Sequence, residues 1–89
     1  MNTERSTRIH ELLTASFEPE ELLVKDQSHL HAGHAGAEDG KGHFAVNIVS
    51  EAFEGKSRIQ RHRIIFDALG DMMQNDIHAL SINARTPSE

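Results

Sequence analysis

The chain of 89 residues contains no cysteine. It can therefore form no disulfide, no thiol nucleophile and no thiolate metal site by itself, and imidazole and carboxylate remain as its good metal ligands. It also has no apolar run near the roughly 20 residues of a membrane-spanning helix, and its charged start, MNTERSTRIHE, does not resemble a secretory signal. We expect a cytoplasmic protein that does not enter a membrane.

The net charge also limits the classes of function. Nine basic residues stand against fourteen acidic ones, for a formal charge of −5 at pH 7 with histidine neutral. Such a balance disfavours a general nucleic-acid binder, since that affinity comes mainly from neutralising phosphates. The length predicts a single domain over 1–89.

The order of apolar and polar residues predicts an α-β-β-α-β chain. The predicted elements are a helix at 2–15, a strand at 21–28, a flexible glycine-rich loop at 29–42, a strand at 43–53, a helical region at 54–74, a strand at 75–84 and a frayed end at 85–89. Ser57 is expected to cap the second helical region, and Gly70 to be a mild flaw inside it. We predict a three-stranded mixed sheet covered by helices on one face, with the first two strands antiparallel and the last two parallel.

The loop SHLHAGHAGAEDGKGH at 28–43 holds four of the seven histidines and four of the six glycines. His29 and His31 are two residues apart, so they share a side if the strand extends this far, and His34 follows a glycine. The loop is either half of a metal site or a solvated connector.

The other histidines have simpler interpretations from the sequence. His43 begins the second strand and His10 lies on the polar flank of the first helix, and neither is expected to be a ligand. His78 begins the last strand on the same side as Leu80 and Ile82, where a core residue would be expected.

Positive charge is concentrated at the start of the second helical region. The cluster consists of Lys56, Arg58, Arg61, His62 and Arg63. A helix start favours negative charge, so these cations suggest an anionic partner such as nucleic acid, glutathione carboxylates or an acidic protein surface. The alternative is that they pair with Glu51 and Glu54 nearby.

Four stretches together resemble the BolA family over nearly the full length of the chain. They are HLHAGH in the loop, HFAVNIVSEAFEGKS through the second strand, IQRHRIIFDAL on the helix, and IHALSINARTP at the end. The resemblance implies an α+β fold of the class II KH type, α-β-β-α-α-β, which adds one helical turn near Ser57 to the predicted order.

The resemblance also implies a partner and a shared cofactor. BolA-like proteins pair with monothiol glutaredoxins, and the two hold a [2Fe–2S] cluster together with glutathione, in cluster trafficking and iron homeostasis. The family's ligand histidine falls on His78. The second ligand comes from the loop, where His31 fits best and His29 or His34 are substitutes. No cofactor is required in the isolated chain, which we expect to be a monomer or a weak homodimer.

Three other functions remain as alternatives. Some bacterial members of the family resemble DNA-binding transcription regulators, and the basic cluster would supply that contact. Zinc storage by the loop histidines is a second alternative, and an enzyme is the third and poorest, since no nucleophile stands beside a recognisable base. The GHAG at 33–36 has the GxxG spacing of RNA-binding KH domains, but it lies between two strands instead of two helices, so it does not predict RNA binding.

Overall fold

A computed structural model describes residues 3–27 and 42–89 of the chain. Its elements are helix α1 (Thr3–Phe17), strand β1 (Glu21–Asp26), strand β2 (Gly42–Val49), a 3₁₀ helix (Glu51–Phe53), helix α2 (Arg58–Leu69), helix α3 (Met72–Asn75) and strand β3 (Ile77–Arg85). The predicted flexible loop lies outside the described residues except for Gly42. No helix in the described ranges is long and apolar enough to cross a lipid bilayer.

The three strands form one mixed sheet in the order β1-β2-β3. β1 and β2 are antiparallel, with Glu21 opposite Val49 and Asp26 opposite Phe44. β2 and β3 are parallel, and the connection between them contains α2 and α3. The predicted α+β class and mixed sheet are therefore confirmed.

The helices cover one face of the sheet. Alternate side chains of β2 point into the core, where Phe44, Val46 and Ile48 are at most 1% exposed. They pack in one cluster with apolar side chains of the helices, which include Ile9, Leu13, Ile65 and Leu69. On the opposite face Leu23 is 49% exposed, so the period-two pattern of the strands separates a buried face from an open one.

α1 ends at Phe17, two residues beyond the predicted end near Ala15. The Phe17 ring packs on Phe53 with centroids 5.2 Å apart, and this tertiary contact favours the extra residues. Glu18 then takes a left-handed conformation with φ 43°, and its N–H donates to the Thr14 carbonyl at 3.0 Å. This geometry ends a helix, and Pro19 cannot continue it.

β2 ends at Val49 instead of continuing to Phe53, so the predicted end of this strand was wrong. Ser50 is buried, and its hydroxyl donates to the Phe17 carbonyl at 2.7 Å and accepts from the Ala52 N–H at 3.1 Å. These bonds turn the chain into the 3₁₀ helix and place Phe53 in the core. The apolar pattern alone did not distinguish this turn from a continuing strand.

The second helical region is two helices instead of one. Its start is as predicted, since the Ser57 hydroxyl accepts from the Gln60 N–H and the Gln60 side chain accepts from the Ser57 N–H, which is a capping box. Gly70, at φ 55°, ends α2 after Leu69, and α3 follows. The second helix of the α-β-β-α-α-β order is therefore α3, beyond Gly70, and the helical turn before Ser57 is the 3₁₀ helix at Glu51–Phe53.

The predicted frayed end at 85–89 is instead tied to the rest of the fold. Arg85 belongs to β3, and Thr86 is buried. The Glu89 carboxylate accepts from Arg61 Nη1 at 2.7 Å, from Arg61 Nη2 at 2.9 Å and from the Thr86 N–H at 3.0 Å. We call Arg61, Thr86 and Glu89 the C-terminal clasp.

Arg61 also bonds two backbone carbonyls. Its Nε donates to the Lys56 carbonyl and its Nη1 to the Ala84 carbonyl, both at 3.0 Å. One guanidinium thus joins the segment before α2, the end of β3 and the last residues of the sequence. The planar fork of an arginine suits such multiple bonding.

The C-terminal clasp predicts that the stability of the fold depends on pH. The Arg61 hydrogen bond, followed by that of the Thr86 N–H, lowers the pKa of Glu89 from 4.5 to about 2. A carboxylate with a lowered pKa stabilises the fold above its unfolded pKa, and this contribution is lost as the pH falls from 4.5 toward 2. Carboxyl NMR titration should find the Glu89 pKa near 2, and Glu89→Gln should make unfolding less sensitive to pH across this range.

The matched control is Glu11→Gln, which removes an exposed carboxylate of α1. It should leave the acid dependence between pH 4.5 and 2 as it is in the unmodified chain. A Glu89 pKa of 4 or above would contradict the clasp, because a carboxylate in a bidentate arginine pair is held in its charged form.

Candidate functional site

His78 lies at a β-bulge near the start of β3. Gly42 is opposite Ile77, but the next residue of β2, His43, is opposite Ala79, so His78 is one additional residue in β3. Strict alternation would place His78 with Leu80 and Ile82 on the core face. The bulge instead leaves His78 exposed while Ile77 is buried, which corrects the expectation that His78 occupies a core position. Bulges commonly redirect a side chain beside a functional site.

The His78 ring lies against the ring of His43. The two centroids are 5.0 Å apart and the ring planes are inclined at 47°. His43 is half-buried in the central strand, and its Nε2 is buried. From the sequence we set His43 aside as a strand-start residue, so the structure adds it to the site.

Backbone hydrogen bonds hold the chain segments next to His43 and His78. The Gln27 N–H donates to the His43 carbonyl at 2.7 Å, and the Gly42 N–H donates to the Asp76 carbonyl at 2.9 Å. Arg5 Nε also donates to Asp76 Oδ1 at 3.1 Å, which joins α1 to the residue before β3. The start of β3 is therefore held from α1 and from β2.

His29, His31 and His34, the predicted loop ligands, lie outside the described residues. The segment that contains them leaves the described chain at Gln27 and returns to it at Gly42, and both of these residues bond beside the histidine pair. In the described ranges no group of three or more His, Cys, Asp or Glu side chains is arranged to hold a metal ion. The described part of the chain thus presents two adjacent imidazoles, of which the exposed one is His78.

The second candidate site is a cleft of about 420 Å³ between the start of α2 and the end of β3. We call it the basic cleft, and its lining residues are Lys56, Arg58, Arg61, His62, Ile82, Asn83, Ala84 and Glu89. Four of the five predicted partner-binding residues therefore line one cleft. The fifth, Arg63, is exposed on α2.

The cations of the basic cluster are not equivalent. The Arg61 side chain is 12% exposed and is bonded in the clasp, and hydrogen bonding to Glu89 raises the pKa of Arg61. Lys56, Arg58 and Arg63 are exposed, and in the described ranges no ion pair joins them to Glu51 or Glu54. Arg61 therefore organises the cleft, while the other three cations face solvent.

Apolar side chains also reach solvent on α2. Ile59 is 71% exposed and Phe66 is 40% exposed. They are seven residues apart, so they lie on the same face of the helix. The exposed surface of α2 therefore combines positive charge with two large apolar side chains.

The two candidate sites lie at opposite ends of β3. His78 and Ala84 are six residues apart in the strand, which corresponds to about 20 Å along it. The histidine pair and the basic cleft are therefore separate surfaces. A ligand of ordinary small-molecule size would contact only one of them.

The chain matches the family model of the BolA-like protein over residues 13–89. Among curated relatives, it is 49% identical over 90 residues to SufE-like protein 1, chloroplastic/mitochondrial, and 44% identical over 88 residues to Protein BOLA1, chloroplastic, both from Arabidopsis thaliana. These alignments cover 96% of the chain but only 24% and 55% of the relatives, so the chain spans a quarter to about half of their lengths.

Solved structures show the same relationship. The BolA domain of SufE1 from Arabidopsis thaliana superposes with a TM-score of 0.83 at 46% identity, over 94% of this chain and 93% of that one. BolA1 from Mus musculus, solved in solution, gives a TM-score of 0.77 at 40% identity, over 93% of this chain and 65% of that one. From the family match, the sequence identity and the shared fold, the chain belongs to the BolA family.

Proposed function

We propose that the protein is a non-enzymatic adaptor that binds a monothiol glutaredoxin and shares a [2Fe–2S] cluster with it, in cluster trafficking and iron homeostasis. The observation that supports this proposal most directly is the exposed imidazole of His78, the residue on which the family's ligand histidine falls. We place this function in the cytoplasm, with the free chain a monomer or a weak homodimer.

The donor atoms of the chain fit a shared cluster. A [2Fe–2S] cluster needs four protein-side ligands, usually thiolates, and two histidines can replace two thiolates on one iron. The chain has no cysteine, so it can offer nitrogen but no thiolate. A glutaredoxin cysteine and glutathione would supply the sulfur. When bound, the cluster would supply iron and sulfide for transfer.

The position of His78 suits a ligand that two proteins share. The side chain is exposed and the bulge removes it from the packed core. The start of β3 is fixed by the Gly42–Asp76 and Arg5–Asp76 bonds. A partner can therefore approach the imidazole without opening the fold, and the nitrogen belongs to a rigid element, as precise ligand placement requires.

We propose His31 as the second ligand, with His29 and His34 as the alternatives. Gln27 bonds the His43 carbonyl, and His31 is four residues further along the chain. Four residues span at most about 14 Å. This length is sufficient for a loop imidazole to approach His78.

The test is to purify the complex of the chain with a monothiol glutaredoxin and glutathione and to record its visible absorption and circular dichroism. His78→Ala should remove most of the cluster signal or shorten the cluster lifetime by roughly tenfold or more, since even outer partners of metal ligands are worth about that much. His31→Ala should have a similar effect.

The control for loss of an imidazole is His10→Ala, because His10 is exposed on α1 and its ring Nδ1 bonds the neighbouring Thr14 hydroxyl of the same helix. This variant should keep the spectrum. An unchanged spectrum and lifetime in the His78→Ala complex would exclude the proposed ligand. If His29→Ala or His34→Ala alone removes the signal, the loop assignment moves to that residue.

The second candidate function is DNA-binding transcription regulation through the basic cleft. It is favoured by the exposure of Lys56, Arg58 and Arg63, which have no acidic partner in the first turn of α2. Phosphates prefer such a surface at a helix start. The overall charge of −5 disfavours DNA binding by the rest of the chain, so DNA would contact only the surface around the basic cleft.

Arg58→Glu and Arg63→Glu should each weaken binding to duplex promoter DNA and reduce the salt slope by about 0.9 for each phosphate that the variant no longer neutralises. Fluorescence anisotropy at several salt concentrations measures both effects. Arg8→Glu, the same charge change on an exposed residue of α1, is the control. Binding that is absent at physiological salt, or equally affected by Arg8→Glu, would rule out this function. Arg61 is not a suitable test position because its replacement would break the clasp.

A further inference from the structure

His43 and His78 differ in how far each side chain is buried. His43 lies in the central strand, with bonded neighbours on both sides: its carbonyl accepts from Gln27 in one direction, and it is opposite Ala79 of β3 in the other. His78 is the additional residue of a bulge and is exposed. The contact of the two rings, with centroids 5.0 Å apart, therefore joins a half-buried side chain of the central strand to an exposed one.

His43 is poorly placed to bind a metal that a second protein also holds. Its side chain is half-buried and its Nε2 is buried. A ligand nitrogen must meet the metal directly at about 2.0–2.1 Å. Nε2 of His43 is buried and does not meet a cluster carried on the surface of another protein, whereas the exposed imidazole of His78 can.

We propose that His43 is the positioning residue for His78. The half-buried ring supports one face of the His78 ring and restricts the orientations that the exposed imidazole can take. This inference rests on the proposed role of His78 as a metal ligand. It assigns to His43 a function through ring contact and not through coordination.

The advantage of this contact is that the His78 side chain loses less conformational entropy when it binds a metal. An exposed side chain loses rotamer freedom when its nitrogen coordinates a metal. Contact with a half-buried ring of the central strand removes part of that loss in advance. Tilted aromatic contacts are favourable at centroid separations of about 4.5–7 Å, and the observed separation of 5.0 Å lies in this range.

The experiment compares His43→Phe with His43→Ala in the isolated chain, with Zn²⁺ as the probe. Phenylalanine keeps a flat ring but has no nitrogen, and alanine removes both. Zn²⁺ binding at His78 is followed by NMR through the ring resonances of His78, and the melting temperature shows whether each variant is folded. His10→Ala is the control for a histidine outside the pair.

A positioning role predicts that His43→Phe binds Zn²⁺ at His78 within about threefold of the unmodified chain. His43→Ala should bind roughly tenfold more weakly, near the lower end of the effect of outer-shell partners on metal affinity. The His78 χ1 couplings should show rotamer averaging in His43→Ala but not in His43→Phe. If His43→Ala does not fold, His43→Leu replaces it, because leucine fills the volume without a ring.

Two results of the Zn²⁺ experiment would overturn the inference. If His43→Phe loses Zn²⁺ affinity as strongly as His43→Ala, a nitrogen of His43 is required and the residue is a ligand. If His43→Ala, or His43→Leu as its replacement, matches the unmodified chain in affinity and in couplings, the ring contact has no effect on His78.

The shared-cluster proposal is tested separately. The Zn²⁺ experiment uses no glutaredoxin, so a heterodimer whose cluster does not depend on His78 would exclude that proposal without changing the Zn²⁺ result. Conversely, a cluster that requires His78 and has the same circular dichroism in His43→Ala, His43→Phe and the unmodified chain would exclude the positioning role and leave the cluster proposal intact.

Discussion

The parallel backbone pairing between β2 and β3 joins the middle of the chain to its last strand, and both candidate sites depend on it. It brings His43 and His78 into contact although they are 35 residues apart in the sequence. It also places the end of β3 beside α2, where Arg61 bonds the Ala84 carbonyl. A parallel pair needs a long crossover connection, and α2 and α3 supply it while covering the core face.

The bulge at His78 shows how a small irregularity changes the use of a residue. A regular strand would direct this imidazole toward the core, where a polar ring requires hydrogen-bond partners. One additional residue in β3 leaves it exposed instead, while Ile77 remains in the core. The same sequence pattern is therefore compatible with a core spacer and with a surface ligand, and the register of the strands decides between them.

The basic cluster at the start of α2 combines two different functions of positive charge. Arg61 is bonded to two carbonyls and to Glu89, so its charge stabilises the position of the last residues. Lys56, Arg58 and Arg63 remain exposed and leave a positive surface on a chain whose overall charge is −5. This surface is about 20 Å from His78 along β3, so an anion bound there would not interfere directly with a ligand of His78.

The amino-acid sequence by itself determined the α+β class, the mixed sheet, the Ser57 cap, the family, and the absence of thiolate ligands. These follow from local periodicity, from side-chain chemistry and from motifs that are contiguous in the chain. The break at Gly70 is local, since the Gly70 N–H donates to the Phe66 carbonyl and glycine accepts the positive φ found there. The end of β2, the ordered C-terminal segment and the contact of His43 with His78 were decided only by the tertiary structure. Each depends on partners distant in sequence, such as Ser50 with Phe17 and Arg61 with Glu89, or on a strand register that a one-residue bulge shifts.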